Sequence, residues 1–306
     1  MNAIDELSEF MIITNFQFPI DKVPYYEELK SWITDYNRRI KKTFIICNST
    51  KERIIDFGNS IIHSLELYKE SYEQAFSFFC KSLDDNKDIF PFAYLGKREV
   101  YMCLNESYFR INLSEFDYEN MLHKPLNLNK NSVRFKSSKY AVSYMSTSPA
   151  LAWYESKRPE EFYLAEYIVH KYNDETQKLL RLDINPVSAH NEIRNLMCRQ
   201  NDYKSYINKY LMIFPLIAAC SFVVNSKEKE NIEEYYISNM LMSWLEEKNE
   251  FLGIRYYSDS KDILAKNKGE HNIALFARNP KQNGISKDLI DIFGVNECGT
   301  VKHILL

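Results

Sequence analysis

The segment VRFKSSKYAVSYMSTSPALAWYES, Val133 to Ser156, sets Arg134, Tyr144 and Glu155 ten and eleven positions apart. An arginine offers paired N–H donors to a phosphate. A tyrosine ring stacks on a flat cation, and a fixed carboxylate stabilises positive charge as it develops. On spacing alone, the surface reading stays ahead: a solvated cation, a packed strand-end aromatic and an exposed helix residue.

Local patterns say which elements must carry these residues. YAVSYM alternates faces as a strand does, and STSP then offers Ser148 as N-cap with Pro149 at the first helical position. Tyr144 therefore closes a strand, and Glu155 falls about two turns into a helix. Further on, Tyr236, Met240 and Trp244 with Ile237, Leu241 and Leu245 form a broad apolar helical stripe. GIRYYS follows as a strand with Ile254, Tyr256 and Ser258 on one face, and IALFA as an apolar strand. The polar stretch SDSKDILAKNKGEHN between them has the composition of a loop able to move over a site.

The first third has a different texture. Tyr26, Leu29, Ile33, Tyr36 and Ile40 recur at helical steps, with Pro24 near the first turn. A second stretch, Ile54, Ile61, Leu65, Tyr68, Tyr72, Phe76 and Phe79, reads as one long helix ending in SLDDNKD. The expected division is a helical region over 1–90 and a mixed α+β domain over 91–306. The apolar run Tyr210–Val224, interrupted by Pro215, reads as buried core too short for a bilayer span.

Composition excludes several classes. The 306 residues, 45% hydrophobic, suffice for a full core. A net charge of −3 and a pI near 6.1 give no general basic field, so nucleic acid is not the expected partner. Acidic residues stand at the start, where a secretory signal would carry basic ones, and export and membrane insertion are not expected. Cys47, Cys80, Cys103, Cys198, Cys220 and Cys298 form no CxxC pair, and the six histidines show no HExxH spacing. A reducing cytoplasmic setting without a bound metal or resident cofactor is the expectation.

Several stretches together resemble the RES domain, a bacterial family related in fold to ADP-ribosyltransferases and associated with NAD+ degradation. The family motif looks like RFxxxGxxxxYLxxSxxxAxxE, and Arg134, Phe135, Tyr144, Ser148 and Glu155 fall at its spacing. SYFRI resembles the early aromatic–arginine pair, which puts Arg110 in that role, and MLHKP (Met121–Pro125) resembles a segment of longer members. FPLIAACSFVV resembles the family's buried strand. The stretch from EYYISNM to GIRYYSDS, followed by HNIALF, resembles its last motif, with the family serine on Ser258. The matches run in family order from about Phe109 to Phe276. The glycine expected five residues after the motif arginine is Lys139 here. Either the turn is rebuilt and activity suffers, or Lys139 lends a charge to the ligand.

The resemblance implies an α+β, ADP-ribosyltransferase-like mixed sheet with NAD+ as substrate. Cleavage of the nicotinamide–ribose bond releases a neutral base and leaves positive charge on the ribose, which a carboxylate can stabilise. Glu155 takes that role, Arg134 and Arg110 the pyrophosphate, Tyr144 the nicotinamide, and Ser258 the orientation of ribose or nicotinamide. Arg110 can equally pair with Glu106, Glu115 or Asp117. His123 reads as a structural hydrogen-bonder, and His271 carries less signal as a base. The implied activity is an NAD+ glycohydrolase or phosphorylase with a toxin or defence role, restrained by an antitoxin or regulatory protein. ADP-ribosyl transfer to a macromolecule and a non-catalytic nucleotide-binding module remain alternatives.

Overall fold

The computed structural model describes residues 3–14, 24–95, 107–113, 119–126, 133–171, 177–199, 201–222, 232–256, 270–294 and 300–305. The first helices follow from the apolar spacing. Helix α1 spans Ala3–Thr14, α2 Tyr25–Lys42, α3 Asn48–Tyr68 and α4 Tyr72–Asp84. The stretch expected as one helix is therefore two. Apolar spacing runs across the break, but Ser71 adopts extended backbone and its hydroxyl accepts from the Gln74 N–H, starting a new helix there.

The chain divides into two units, 1–91 with 184–241 and 92–183 with 242–306. The first crossing lies beside the expected edge at 90/91. Residues 184–241 join the helical unit instead of continuing the sheet unit, so the span 91–306 is not one continuous body.

The helical unit holds α1 to α4 together with α6 (Pro186–Cys198) and α7 (Tyr203–Ala219). The run FPLIAAC, taken by resemblance as strand, is helix. It is buried on every side, and an apolar run of that kind carries no period from which to choose. Pro215 sits inside α7 and has no N–H to give the Leu211 carbonyl four residues back. Tyr36 from α2 supplies the missing donor, its hydroxyl 2.6 Å from the Leu211 oxygen. Burial pushes that phenol far above its usual pKa, so it remains protonated and donates. Tyr25 does the same at the helix end, bonding the Ala219 carbonyl at 2.9 Å.

The sheet unit carries eight strands: β1 Phe92–Tyr94, β2 Ser107–Asn112, β3 Ala141–Ser146, β4 Glu161–Ile168, β5 Lys178–Leu182, β6 Phe251–Tyr256, β7 Asn272–Ala277 and β8 Thr300–Leu305. Their order is β1-β5-β6-β7-β3-β2-β4-β8, antiparallel throughout except for β5 beside β6. The architecture is α+β with a mixed sheet. One face is covered by a core that includes Tyr108, Met145, Tyr167, Ile273 and Leu275, together with Leu289 and Phe293 of α9 (Lys287–Phe293). Gly253 of β6 lies so close to β7 that a β-carbon there would overlap the Ala274 carbonyl oxygen. Helix α5 (Pro149–Glu155) follows β3, with Ser148 accepting from the Leu151 N–H and Pro149 in the first turn. Helix α8 (Tyr236–Glu247) precedes β6.

Strands β2 and β3 meet at one register pair, Phe109 opposite Ser146, whereas β3 and β7 pair over six residues from Ala141↔Ala277 to Ser146↔Asn272. The sheet is thus almost parted between β2 and β3. Arg110 and Tyr144, two of the residues expected to do chemistry, lie on the strands that flank that seam.

Candidate active site at the β2–β3 seam

Residues two apart along a strand share a face, so Val142, Tyr144 and Ser146 line one side of β3, and Ser146 lies opposite Asn272 of β7. The Ser146 hydroxyl donates to the Asn272 side-chain oxygen at 2.6 Å. The Glu155 carboxylate only accepts, so it takes the amide NH2, which donates to Oε1 at 2.9 Å, and this leaves the Asn272 oxygen to accept from Ser146. Glu155 is the last residue of α5 and is exposed, so its remaining acceptor capacity faces solvent. Asn272 is the residue that sequence reasoning missed. It sits in the quoted HNIALF, but its role depends on β3–β7 register, for which the sequence carries no local signal.

Tyr144 is half-buried, and its hydroxyl lies 3.2 Å from both the Arg134 and the Phe135 carbonyl. The phenol therefore clamps the backbone of the arginine it was paired with by spacing. Phe135 has a left-handed backbone, φ 60°, uncommon for a bulky side chain. Its ring is fully buried and packs against Tyr256 of β6 at 4.6 Å between centroids. Burial of the ring and the tyrosine clamp offset the cost of this conformation, and they fix where Arg134 leaves the chain.

The loop after Arg134 answers the question of the absent glycine. Among the described residues the non-glycine positions with positive φ are Phe135, Lys157, Arg158 and Asn279, so Lys139 does not occupy a left-handed conformation. The turn is built on Ser137, whose buried hydroxyl oxygen accepts the N–H groups of Lys139 (3.2 Å) and Tyr140 (2.8 Å). The same hydroxyl donates to Glu246 Oε2 at 2.5 Å, and Ser138 donates to Glu246 Oε1 at 3.3 Å. Lys139 itself is exposed, its ammonium 5.2 Å from the Tyr140 ring centre.

Arg110 reaches the seam from the other face. It shares a side of β2 with Tyr108, and its Nη1 donates to the Tyr144 carbonyl at 3.0 Å. That carbonyl belongs to the part of β3 where pairing with β2 has ended. Its sequence candidates for pairing, Glu106, Glu115 and Asp117, lie outside the described residues, as does Ser258. His123 is buried. Its Nε2 accepts from the Ser286 N–H at 2.9 Å, so Nδ1 carries the proton and donates to the Lys124 carbonyl at 3.0 Å. Burial is the main cause of its lowered pKa, and the Arg110 charge lowers it further; a neutral structural ring results.

His271 precedes Asn272 and is tied to the end of β3, its N–H donating to the Thr147 hydroxyl at 2.9 Å. Behind it, Arg255 donates to Asp183 Oδ2 at 2.8 Å and Arg181 to Oδ1 at 3.2 Å. Burial opposes ionisation of Asp183, yet Arg255, Arg181 and His271 overcome it and hold the carboxyl well below the usual carboxylate range. Among the described residues, no group of three or more His, Cys, Asp or Glu is arranged to hold a metal, and no helix is long and apolar enough to cross a membrane.

Tyr144 is thus tied to the Arg134 backbone, and Glu155 is tied through Asn272 to Ser146, two residues beyond Tyr144 on the same face of β3. Comparisons with known proteins add a toxin-named relative. No family model matches the chain, and no solved structure matches it. The chain is 25% identical over 279 residues to a Bacillus subtilis (strain 168) protein named "Putative toxin YopC", an alignment covering 84% of this chain. The match spans 60% of that relative's length.

Proposed function

We propose that this chain is an NAD+-consuming enzyme that cleaves the nicotinamide–ribose bond, passes ADP-ribose to water or inorganic phosphate, and acts as a toxin or defence effector by depleting NAD+. The observation that carries the reading is the exposed Glu155 carboxylate, held by Asn272, which in turn bonds Ser146, two residues along β3 from Tyr144. Local charge fits an anionic dinucleotide. Arg134, Lys136 and Lys139 stand in the segment that leads into β3, and Lys157 and Arg158 follow Glu155, in a chain of net charge −3.

In the proposed reaction the C–N bond between ribose and nicotinamide breaks with its electron pair leaving on nicotinamide. The sugar becomes oxocarbenium-like, stabilised by Glu155, which also accepts from a ribose hydroxyl. The acceptor oxygen then bonds to the ribose carbon and loses its proton to solvent. Arg134 binds the pyrophosphate, Tyr144 stacks on the nicotinamide, and Arg110 props β3 from behind. The relative named a toxin supports the toxin part of the reading, and an antitoxin or regulatory protein belongs with it. Residual NAD+ loss equal to the parent's in Glu155→Gln would remove the assignment. The test follows NAD+ and ADP-ribose with and without phosphate; label retained on macromolecule would move the reading to ADP-ribosyl transfer.

A further inference from the structure

Glu155 stands where a helix stops, and the stop is unusual. Helix α5 ends in two backward hydrogen bonds, Lys157 N–H to the Tyr154 carbonyl at 3.1 Å and Arg158 N–H to the Trp153 carbonyl at 3.0 Å. This is the Schellman arrangement, whose first residue past the cap is left-handed and most often glycine. Here it is Lys157 at φ 66°, and Arg158 after it is also left-handed at φ 54°. Two successive residues with side chains thus hold a conformation that glycine would adopt freely.

What holds them is visible. The Trp153 indole N–H donates to the Pro159 carbonyl at 2.9 Å, closing the turn from inside the helix. The Arg158 guanidinium lies over the Tyr154 ring at 4.1 Å, and Pro159 blocks any continuation of the helix. Two cations also follow the carbonyl end of α5, where positive charge is favoured and a carboxylate such as Glu155 is not. Three of the four non-glycine left-handed residues described adjoin the site, Phe135 next to Arg134 and this pair just after Glu155.

We infer that the left-handed pair Lys157–Arg158, clamped by Trp153, is a positioning element that ends α5 at Glu155 and aims its carboxylate at Asn272. Trp153 is then a positioning residue, acting through the turn and touching no substrate. The inference rests on the proposed role of Glu155, but its geometric part is measurable without any reaction.

The test uses the full chain and its variants Trp153→Phe, Lys157→Gly and the double variant. Trp153→Phe keeps an aromatic ring and loses the indole donor. Its kcat for NAD+ cleavage falls about tenfold with KM within about twofold, and the 15N-resolved signals of the Asn272 side-chain amide move toward those of Glu155→Gln. Lys157→Gly raises the melting temperature by about 2–4 °C. Added to Trp153→Phe, it restores the amide signals and a large part of the rate, because glycine forms the turn unclamped. Unchanged amide signals in Trp153→Phe, or no rescue by glycine, would overturn the inference. If the parent consumes no NAD+, the proposed reaction fails, while the amide signals and the melting temperature still decide the positioning role.

Discussion

The Tyr144 hydroxyl stands 3.2 Å from the Arg134 carbonyl, so the aromatic residue and the cation of the opening motif are joined through the backbone of one and the side chain of the other. Ring and hydroxyl therefore have separable tasks. Tyr144→Phe keeps the stacking face and frees the Arg134–Phe135 turn; the NAD+ concentration at half-maximal rate rises about two- to fivefold. Arg134→Ala removes the phosphate donor itself and raises that concentration further, by about tenfold or more. Saturation curves for the two variants, measured side by side, check the order.

Ser146 acts on Glu155 through Asn272. Ser146→Ala removes the donor that anchors the Asn272 oxygen, so the amide that holds Glu155 is free to shift. The expected kcat is about three- to tenfold lower, and Asn272→Ala lowers it at least as much. The double variant costs little more than Asn272→Ala alone, because both substitutions break one relay. Full additivity in single-turnover rates would argue that Ser146 acts elsewhere.

The lysine in place of the resembled family's glycine is not a defect in the turn. Lys139 needs no left-handed backbone, and its N–H is held by Ser137. Lys139→Gly gains no conformational relief and lowers stability by about 0.4–1 kcal/mol through the looser unfolded chain. Ser137→Ala removes the acceptor for two N–H groups and a donor to buried Glu246, costing about 1–3 kcal/mol. Urea titrations of the two variants should rank them in that order.

Asp183 makes the fold sensitive to acid. Its folded-state pKa lies below the unfolded value of about 3.9, a shift set by burial, which opposes it, and the stronger pull of Arg255, Arg181 and His271. A depressed pKa means that the stabilisation is complete above the unfolded pKa and is lost as pH falls below about 4 toward the folded one. Asp183→Asn leaves two arginines without their carboxylate, costing about 3–5 kcal/mol at pH 7. The difference from the parent narrows under strongly acidic conditions. Denaturation measured at pH 7 and in acid, on parent and variant, checks both statements.

Tyr36 and Leu211 give a prediction for the helical unit. Tyr36→Phe preserves the buried ring and leaves the carbonyl opposite Pro215 with no donor, at a cost of about 1–3 kcal/mol. Adding Pro215→Ala restores the helix's own N–H and recovers much of that loss. A double-mutant cycle by chemical denaturation measures the coupling.

Much of the site's local scaffolding was legible in the sequence because it is written over short distances. Ser148 and Pro149 start α5 as their types dictate, the YAVSYM stretch supplies β3 although nearly all of that strand is buried, and the stripe around Trp244 makes α8. What could not be read depends on distant partners. The Ser71 start is hidden by apolar spacing that continues through it. The helical state of FPLIAAC rests on packing and on a tyrosine 175 residues away in sequence. Asn272 acquires its role only when β7 is set opposite β3 in one register. The left-handed turn at Lys157 is masked by the absence of the glycine that usually announces it.

The single rung at Phe109 and Ser146 has a consequence for the sheet as a whole. Strand order counts eight in one row, but by pairing the row is two panels, β1-β5-β6-β7-β3 and β2-β4-β8, joined by that one rung. Side chains supply what the ladder lacks: Tyr108 and Tyr167 of the smaller panel share a core with Met145, Ile273 and Leu275 of the larger, and Arg110 reaches across to the Tyr144 carbonyl. The strand that carries Tyr144 is therefore tied to its neighbour by packing and a cation, and side-chain substitutions in β2 act on it where a full ladder would have buffered them.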